Sequence, residues 1–162
     1  MKKIKTKIIR FDERSLEEAL QTIINGGVIA FPTDTVYGIA VSAFNPPGIE
    51  KLYEIKERPN VKAIPVLVGT MEQLDQVASN LPPYARKLVN EFWPGALTLV
   101  VPALASLPPN LSPTPTIGVR MPDHLLLREL IRRSGPLATT SANLSGYVNS
   151  LMQKQIFVNC YR

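Results

Sequence analysis

The 162-residue sequence predicts one domain of the α/β or mixed α+β class, a sheet with flanking helices. Three observations lead there. Short apolar runs alternate along the chain with segments of helical period. Hydrophobic residues make up 45% and charged residues 19%, the balance of an ordinary globular domain, so pervasive disorder is excluded. No internal repeat and no linker divides the chain, and a chain of this length buries roughly 70% of its unfolded surface, enough for a core without disulfides or structural metal.

The elements follow in order. Residues 3–10 alternate Lys with Ile or Thr and read as a strand. Ser15 opens a helix, with Glu18 at capping-box spacing and Leu16, Ala19, Leu20, Ile23 and Ile24 on one stripe. Asn25-Gly26-Gly27 ends it, because glycine accepts the left-handed conformation that follows a helix. Residues 28–31 form a short buried strand that leads into the polar segment 32–38. Pro46-Pro47 starts a helix carrying Ile49, Leu52, Tyr53 and Lys56. A strand over 64–68 and helices over 71–77 and 82–92 come next, followed by a strand over 97–101 after Trp93-Pro94-Gly95. Residues 102–115 are proline-rich and read as a loop. A strand over 116–120, a helix over 123–134 and a strand over 137–139 complete the pattern.

Composition removes several function classes. One cysteine and one histidine exclude a disulfide framework and a multi-cysteine zinc site, and leave little material for a Cys-His or Ser-His-Asp triad. His124 stands at a helix start, where a capping or solvent-facing role is the ordinary one, and Cys160 lies near the chain end with no assigned role; no metal ligands are expected. No apolar run is long enough to span a membrane, and the basic start lacks the apolar core of a signal peptide, so the cytoplasm is the expected compartment. The net charge of +5 sits in one arm: Lys2, Lys3, Lys5, Lys7 and Arg10 meet no acid, while the rest of the chain is balanced. Such an arm is either an edge strand whose lysines block edge-to-edge pairing or a contact for RNA.

The dinucleotide-binding glycine fingerprint, the P-loop and the Gly-x-Ser-x-Gly elbow are all absent. Instead, hydroxyls, amides and cations gather in three segments: FPTDTVYGIA (31–40), Lys56-Glu57-Arg58-Pro59 with Lys62, and TTSANLSG (139–146). Loops at strand ends are where α/β sheets bind ligands. Donors and cations without a nucleophile–base pair suit a reaction that positions its reactants and stabilises charge, as phosphoryl or nucleotidyl transfer does. Pro59 biases Arg58 toward extended backbone, so the helix should end near Glu57 and let Lys56 and Arg58 swing toward one ligand; complementing the helix C-terminus is the other reading of these cations. Thr33, Ser141 and Asn143 are also common turn formers and caps, and Arg120 either pairs with a surface carboxylate or holds a substrate carboxylate bidentately.

Taken together and in register, FPTDTVYGIA, KERPNVKAIPVLV, FWPGALTLVV, TIGVRMPDH and GPLATTSANLSG resemble the YrdC/Sua5 family of threonylcarbamoyl-AMP synthases, from about residue 8 to residue 146. The resemblance implies a YrdC-like fold, a twisted, mixed open sheet around a concave, positively charged cleft. It implies formation of threonylcarbamoyl-AMP and pyrophosphate from L-threonine, bicarbonate and ATP, a product that feeds N6-threonylcarbamoylation of adenosine 37 in tRNA through a hand-off to a threonylcarbamoyl transferase. Some members bind double-stranded RNA. By position, Thr33 would contact threonine and Arg120 would hold its carboxylate. Lys56 and Arg58 would be catalytic, and Arg58, Lys62, Thr116, Thr139, Ser141 and Asn143 would bind ATP. Leu67 stands where some archaeal members carry a histidine near threonine. An anionic carbamate attacking an anionic phosphate needs cations and donors, and a Mg²⁺ ion held by phosphate and water is implied as well.

After Gly146 the likeness stops. Residues 1–146 read as the YrdC-like domain, incomplete at its C-terminal end, and 147–162 as an atypical tail with no sustained helical or strand period, a truncated or frame-shifted end. The expected consequences are an unpaired sheet edge, weakened ATP binding, and a monomer with some tendency to dimerise. A non-catalytic RNA- or tRNA-binding module and an inactive fragment are the alternatives to the enzyme.

Overall fold

Apolar residues at alternating strand positions decide the architecture. In a computed structural model, which describes residues 6–57, 62–143 and 155–159, the strands are β1 (Thr6–Arg10), β2 (Val28–Phe31), β3 (Gly38–Ser42), β4 (Val66–Leu67), β5 (Leu99–Pro102), β6 (Thr116–Arg120), β7 (Leu137–Ser141) and β8 (Gln155–Asn159). They form one mixed sheet in the order β1-β8-β2-β3-β7-β4-β6-β5. Only β4 and β6 pair in parallel among the described residues. The helices are α1 (Glu13–Ile24), α2 (Pro46–Lys56), α3 (Met71–Leu74), α4 (Pro83–Phe92) and α5 (Leu125–Ser134), with a 3₁₀ turn at Pro109–Leu111.

Successive residues of a strand face opposite sides of a sheet. Ile29, Ala40, Leu67 and Leu137 therefore meet Leu16, Leu20 and Ile23 of α1 and Leu127, Leu130 and Ile131 of α5. Val28, Val41, Val66 and Ala138 point the other way, onto Ile49, Leu52 and Tyr53 of α2 and Val89 and Trp93 at the end of α4. The predicted mixed sheet with flanking helices is thus a three-layer structure. Gln73 ties α3 to α5: its Oε1 accepts from Gly69 N at 2.8 Å and its Nε2 donates to the Ile131 carbonyl at 2.8 Å.

Several local details depart from the sequence reading. Helix α1 starts at Glu13, because Asp12 is the N-cap and forms the capping box with Ser15, one turn before the expected Ser15–Glu18 pair. The strand β3, unforeseen as a separate element, is an apolar run that pairs with both β2 and β7. Helix α2 ends where Pro59 suggested, with Glu57 as a left-handed cap at φ 48°. His124 is the N-cap of α5, as its position implied.

The tail needs correction. Residues 155–159, read as irregular, form β8, which pairs antiparallel with β1 on one side and β2 on the other. Ile156-Phe157-Val158 has strand propensity but is too short for a period to declare it; the unpaired backbone groups of two neighbouring strands supply the deciding interaction. Strand β8 lies between β1 and β2 inside the sheet, and β1 is an outer strand. The edge-strand reading of the basic arm holds for Thr6–Arg10, where Lys7 Nζ meets Glu18 Oε2 of α1 at 2.7 Å. Lys2, Lys3 and Lys5 lie outside the described residues.

Candidate active site

The face of the sheet that carries α1 and α5 also carries a cavity of about 310 Å³, lined by Thr33, Thr35, Val36, Gly38, Ala63, Pro65, Leu67, Thr98, Arg120, Thr139, Thr140 and Ser141. Four neighbouring strands build its floor. Gly38 of β3 stands opposite Ser141 of β7, and Leu67 of β4 stands between Leu137 of β7 and Arg120 of β6. Gly38 has to be small: an added Cβ would lie 3.0 Å from Thr139 Cγ2 and 3.3 Å from the Phe31 ring.

The loop 32–37 forms one wall. The Thr33 hydroxyl donates to the Val36 carbonyl at 2.7 Å and accepts from Thr35 N at 3.0 Å and Val36 N at 3.1 Å. The turn-forming role of Thr33 is therefore real, and the residue lines the cavity at the same time. Ala142 N donates to the Tyr37 carbonyl at 2.8 Å, joining this loop to the end of β7. Arg120 crosses to the loop from β6: its NH1 donates to Thr35 Oγ1 at 2.9 Å, its NH2 to Asp34 Oδ1 at 2.5 Å, and its Nε to the Gly95 carbonyl at 2.9 Å.

Behind β7 sits Lys56, only 3% exposed. Its ammonium donates to the Ser141 carbonyl, and to Ser141 Oγ and Asn143 Oδ1 at 3.3 Å each. The second and third polar segments of the sequence thus meet through one buried cation, 85 residues away from Ser141 along the chain.

Thr33, Arg120, Thr139 and Ser141 line the cavity, and Lys56 and Asn143 join them through hydrogen bonds. Thr116 does not line it. It shares the face of β6 with Gly118 and Arg120 but stands at the opposite end of the strand, roughly 13 Å from Arg120 at about 3.3 Å per residue. Lys62 is exposed next to the lining residue Ala63. Arg58 lies outside the described residues. Thr35, Val36, Pro65, Thr98 and Thr140 were not singled out as site residues, although each falls within a segment quoted from the sequence; only the folded arrangement of loops and strands brings them to one hollow.

His124 accepts the Leu127 amide through Nδ1 at 3.3 Å and stacks on Phe11, ring centroids 5.3 Å apart. Burial pushes its imidazole below the ordinary value of 6.5, against smaller opposing effects from its backbone contact and from Asp34 and Asp123. The folded state then binds fewer protons than the unfolded state between the lowered value and 6.5, so stability rises with pH in that window. The contribution is complete above about pH 6.5 and is lost as pH falls through the folded value. Urea midpoints measured from pH 7.5 to 5 should fall on acidification, and His124→Asn, which caps a helix without titrating there, should flatten that decline. An unchanged decline in H124N would refute the assignment.

The open mixed sheet and the polar hollow across its central strands define an α/β domain whose cavity offers hydroxyls and a fixed guanidinium. The family model Sua5/yciO/yrdC, described as "Telomere recombination", matches residues 21–160, and the chain belongs to that family. It is 41% identical to the threonylcarbamoyl-AMP synthase of Bacillus subtilis (strain 168), aligning over 83% of this chain and 40% of that protein. It is 32% identical to the threonylcarbamoyl-AMP synthase of Saccharophagus degradans (strain 2-40), over 87% of this chain and 75% of that one. Among solved structures, Pyrococcus abyssi Sua5 in complex with L-threonine superposes with a TM-score of 0.82 at 36% identity, covering 85% of this chain and 41% of that one. The chain therefore spans less than half the length of the B. subtilis and P. abyssi relatives. The YrdC-like fold expected from the sequence is the fold observed.

Proposed function

We propose that this domain makes threonylcarbamoyl-AMP from L-threonine, bicarbonate and ATP, releasing pyrophosphate, and that the product serves threonylcarbamoylation of adenosine 37 in tRNA through a partner transferase in the cytoplasm. The observation that carries the reading is the convergence of Thr33, Arg120, Thr139 and Ser141 on one cavity, with Lys56 holding the Ser141–Asn143 segment from behind. The relatives named threonylcarbamoyl-AMP synthase and the threonine complex of P. abyssi Sua5 support it.

The chemistry suits the residues. The threonine amine adds to bicarbonate with loss of water, giving a carbamate. A carbamate oxygen then attacks the α-phosphorus of ATP, and the bond from that phosphorus to the bridging oxygen breaks to release pyrophosphate. Both partners are anions, so the protein's task is to hold them together and to stabilise the charge, without a covalent intermediate. Arg120 binds the threonine carboxylate, Thr33 orients the amino acid, and Thr139, Ser141 and Asn143 bind the nucleotide, with Arg58 and Lys62 toward the phosphates. Thr116 lies along the same face of β6 for a nucleotide that extends beyond Gly118. Among the described residues no cluster of His, Cys, Asp or Glu is built to hold a metal. The lining hydroxyls of Thr33, Thr35, Thr139, Thr140 and Ser141 would suit a Mg²⁺ ion arriving with the nucleotide, which would supply neutralisation of phosphate charge. No helix among the described residues is long and apolar enough to cross a membrane.

The test is pyrophosphate release from ATP. Release that requires both L-threonine and bicarbonate supports the reading. ATP turnover indifferent to either, or none at all with steeply salt-dependent RNA binding in its place, overturns it.

A further inference from the structure

Building on the carboxylate-binding role proposed for Arg120, we infer that Asp34 is the positioning residue of that arginine: it presets the guanidinium so that the amino-acid carboxylate meets a fork already held in place. Asp34 is not among the cavity-lining residues, whereas Arg120 and Thr35 are. It touches the site through Arg120, with NH2 on Oδ1 at 2.5 Å. The two side chains are only 14% and 17% accessible, so this pair is shielded from solvent in a way most surface ion pairs are not.

The geometry is over-determined. A guanidinium carries five N–H donors. The contacts to Gly95, Thr35 and Asp34 engage each of its nitrogens once, from two separate loops. The pair of donors left over is what one bidentate carboxylate contact needs. The loop that holds Asp34 is itself braced by Thr33, whose hydroxyl bonds to Thr35 N, to Val36 N and O, and to Thr35 Oγ1 at 3.1 Å. An arginine at a strand end would otherwise sample many rotamers and lose them on binding, weakening the complex. Asp34 has done this ordering beforehand.

The test compares equilibrium binding of L-threonine, L-threoninol (which keeps the amine and side chain but has no carboxylate) and ATP to wild-type protein, Asp34→Ala and Asp34→Asn. D34A should weaken L-threonine by roughly 10- to 150-fold, the range for losing a hydrogen bond to a charged group, and leave L-threoninol and ATP within about twofold. D34N, whose amide oxygen accepts the same hydrogen bond, should return L-threonine affinity to within about threefold of wild type. In steady state the loss should appear in KM for L-threonine with kcat little changed. D34A that binds L-threonine like wild type, or that loses L-threonine and L-threoninol equally, overturns the inference; so does D34N that is no better than D34A. Wild-type protein that binds no L-threonine overturns the functional reading along with it, whereas wild-type binding that survives D34A intact overturns this inference alone.

Discussion

Lys56→Met is expected to lower kcat/KM for pyrophosphate release at least about 100-fold, the scale of loss when reacting groups shift by about 1 Å. Methionine nearly matches the unbranched stem of lysine, so little packing is lost at this 3%-exposed position. What disappears is the ammonium, and with it the donors to the Ser141 carbonyl, Ser141 Oγ and Asn143 Oδ1. These contacts fix the end of β7 as it leaves the sheet, next to the cavity that Thr139, Thr140 and Ser141 line. Without them the Ser141 hydroxyl and the Asn143 amide, proposed above to bind the nucleotide, lose their common anchor, and buried acceptors are left unmatched at about 1–3 kcal/mol of stability. Lys56→Arg should not rescue the enzyme, because a planar fork does not reproduce the contacts of a compact ammonium. K56M with near-wild-type turnover would remove Lys56 from the site.

The largest expected effect on stability comes from Gly69→Ala, at about 3 kcal/mol. Gly69 follows β4 at the point where the chain passes α5. A Cβ there would lie 2.6 Å from the Arg128 carbonyl oxygen and 2.9 Å from Arg132 N, both backbone atoms. Neither swings aside as a side chain can. Helix α5 cannot retreat cheaply either, since Leu127, Leu130 and Ile131 are fully buried against α1 and the sheet. A shift would also strain the Gln73 bridge between Gly69 N and the Ile131 carbonyl. Urea unfolding should report the loss, and heating should show a midpoint lower by roughly 6–12 °C for a domain of this size. A loss under about 1 kcal/mol would mean that β4 and α5 are less tightly apposed than described.

Legibility of the fold varied by element for identifiable reasons. Strand β6 could be read to the residue and helix α5 to within two, because the proline-rich segment before Thr116 bounds the strand and the apolar period of 125–131 marks the helix, whose N-cap is His124. Strand β3 was hidden, since Gly38-Ile39-Ala40-Val41-Ser42 is buried on both faces of the sheet and shows no alternation. Strand β8 was missed outright, its pairing with β1 and β2 being a contact across most of the chain. At the site, segment 31–40 supplies Thr33, Thr35, Val36 and Gly38 to the cavity, but Asp34 within it had no role readable from the sequence, because its partner Arg120 is distant along the chain.

Local chemistry along the chain was enough to choose the class of fold, the polar segments that matter and the family, because periodicity, caps and motif order are written in neighbouring residues. Which side chains meet was settled by the folded sheet. Asp34 and Arg120 are 86 residues apart and Lys56 and Ser141 are 85 apart; the sheet order β3-β7-β4-β6 brings the loop before β3 to the end of β6, and the end of α2 meets the end of β7. Hydrogen bonds and ion pairs act over a few ångströms, so a contact between distant residues leaves no local signature for a linear reading to find.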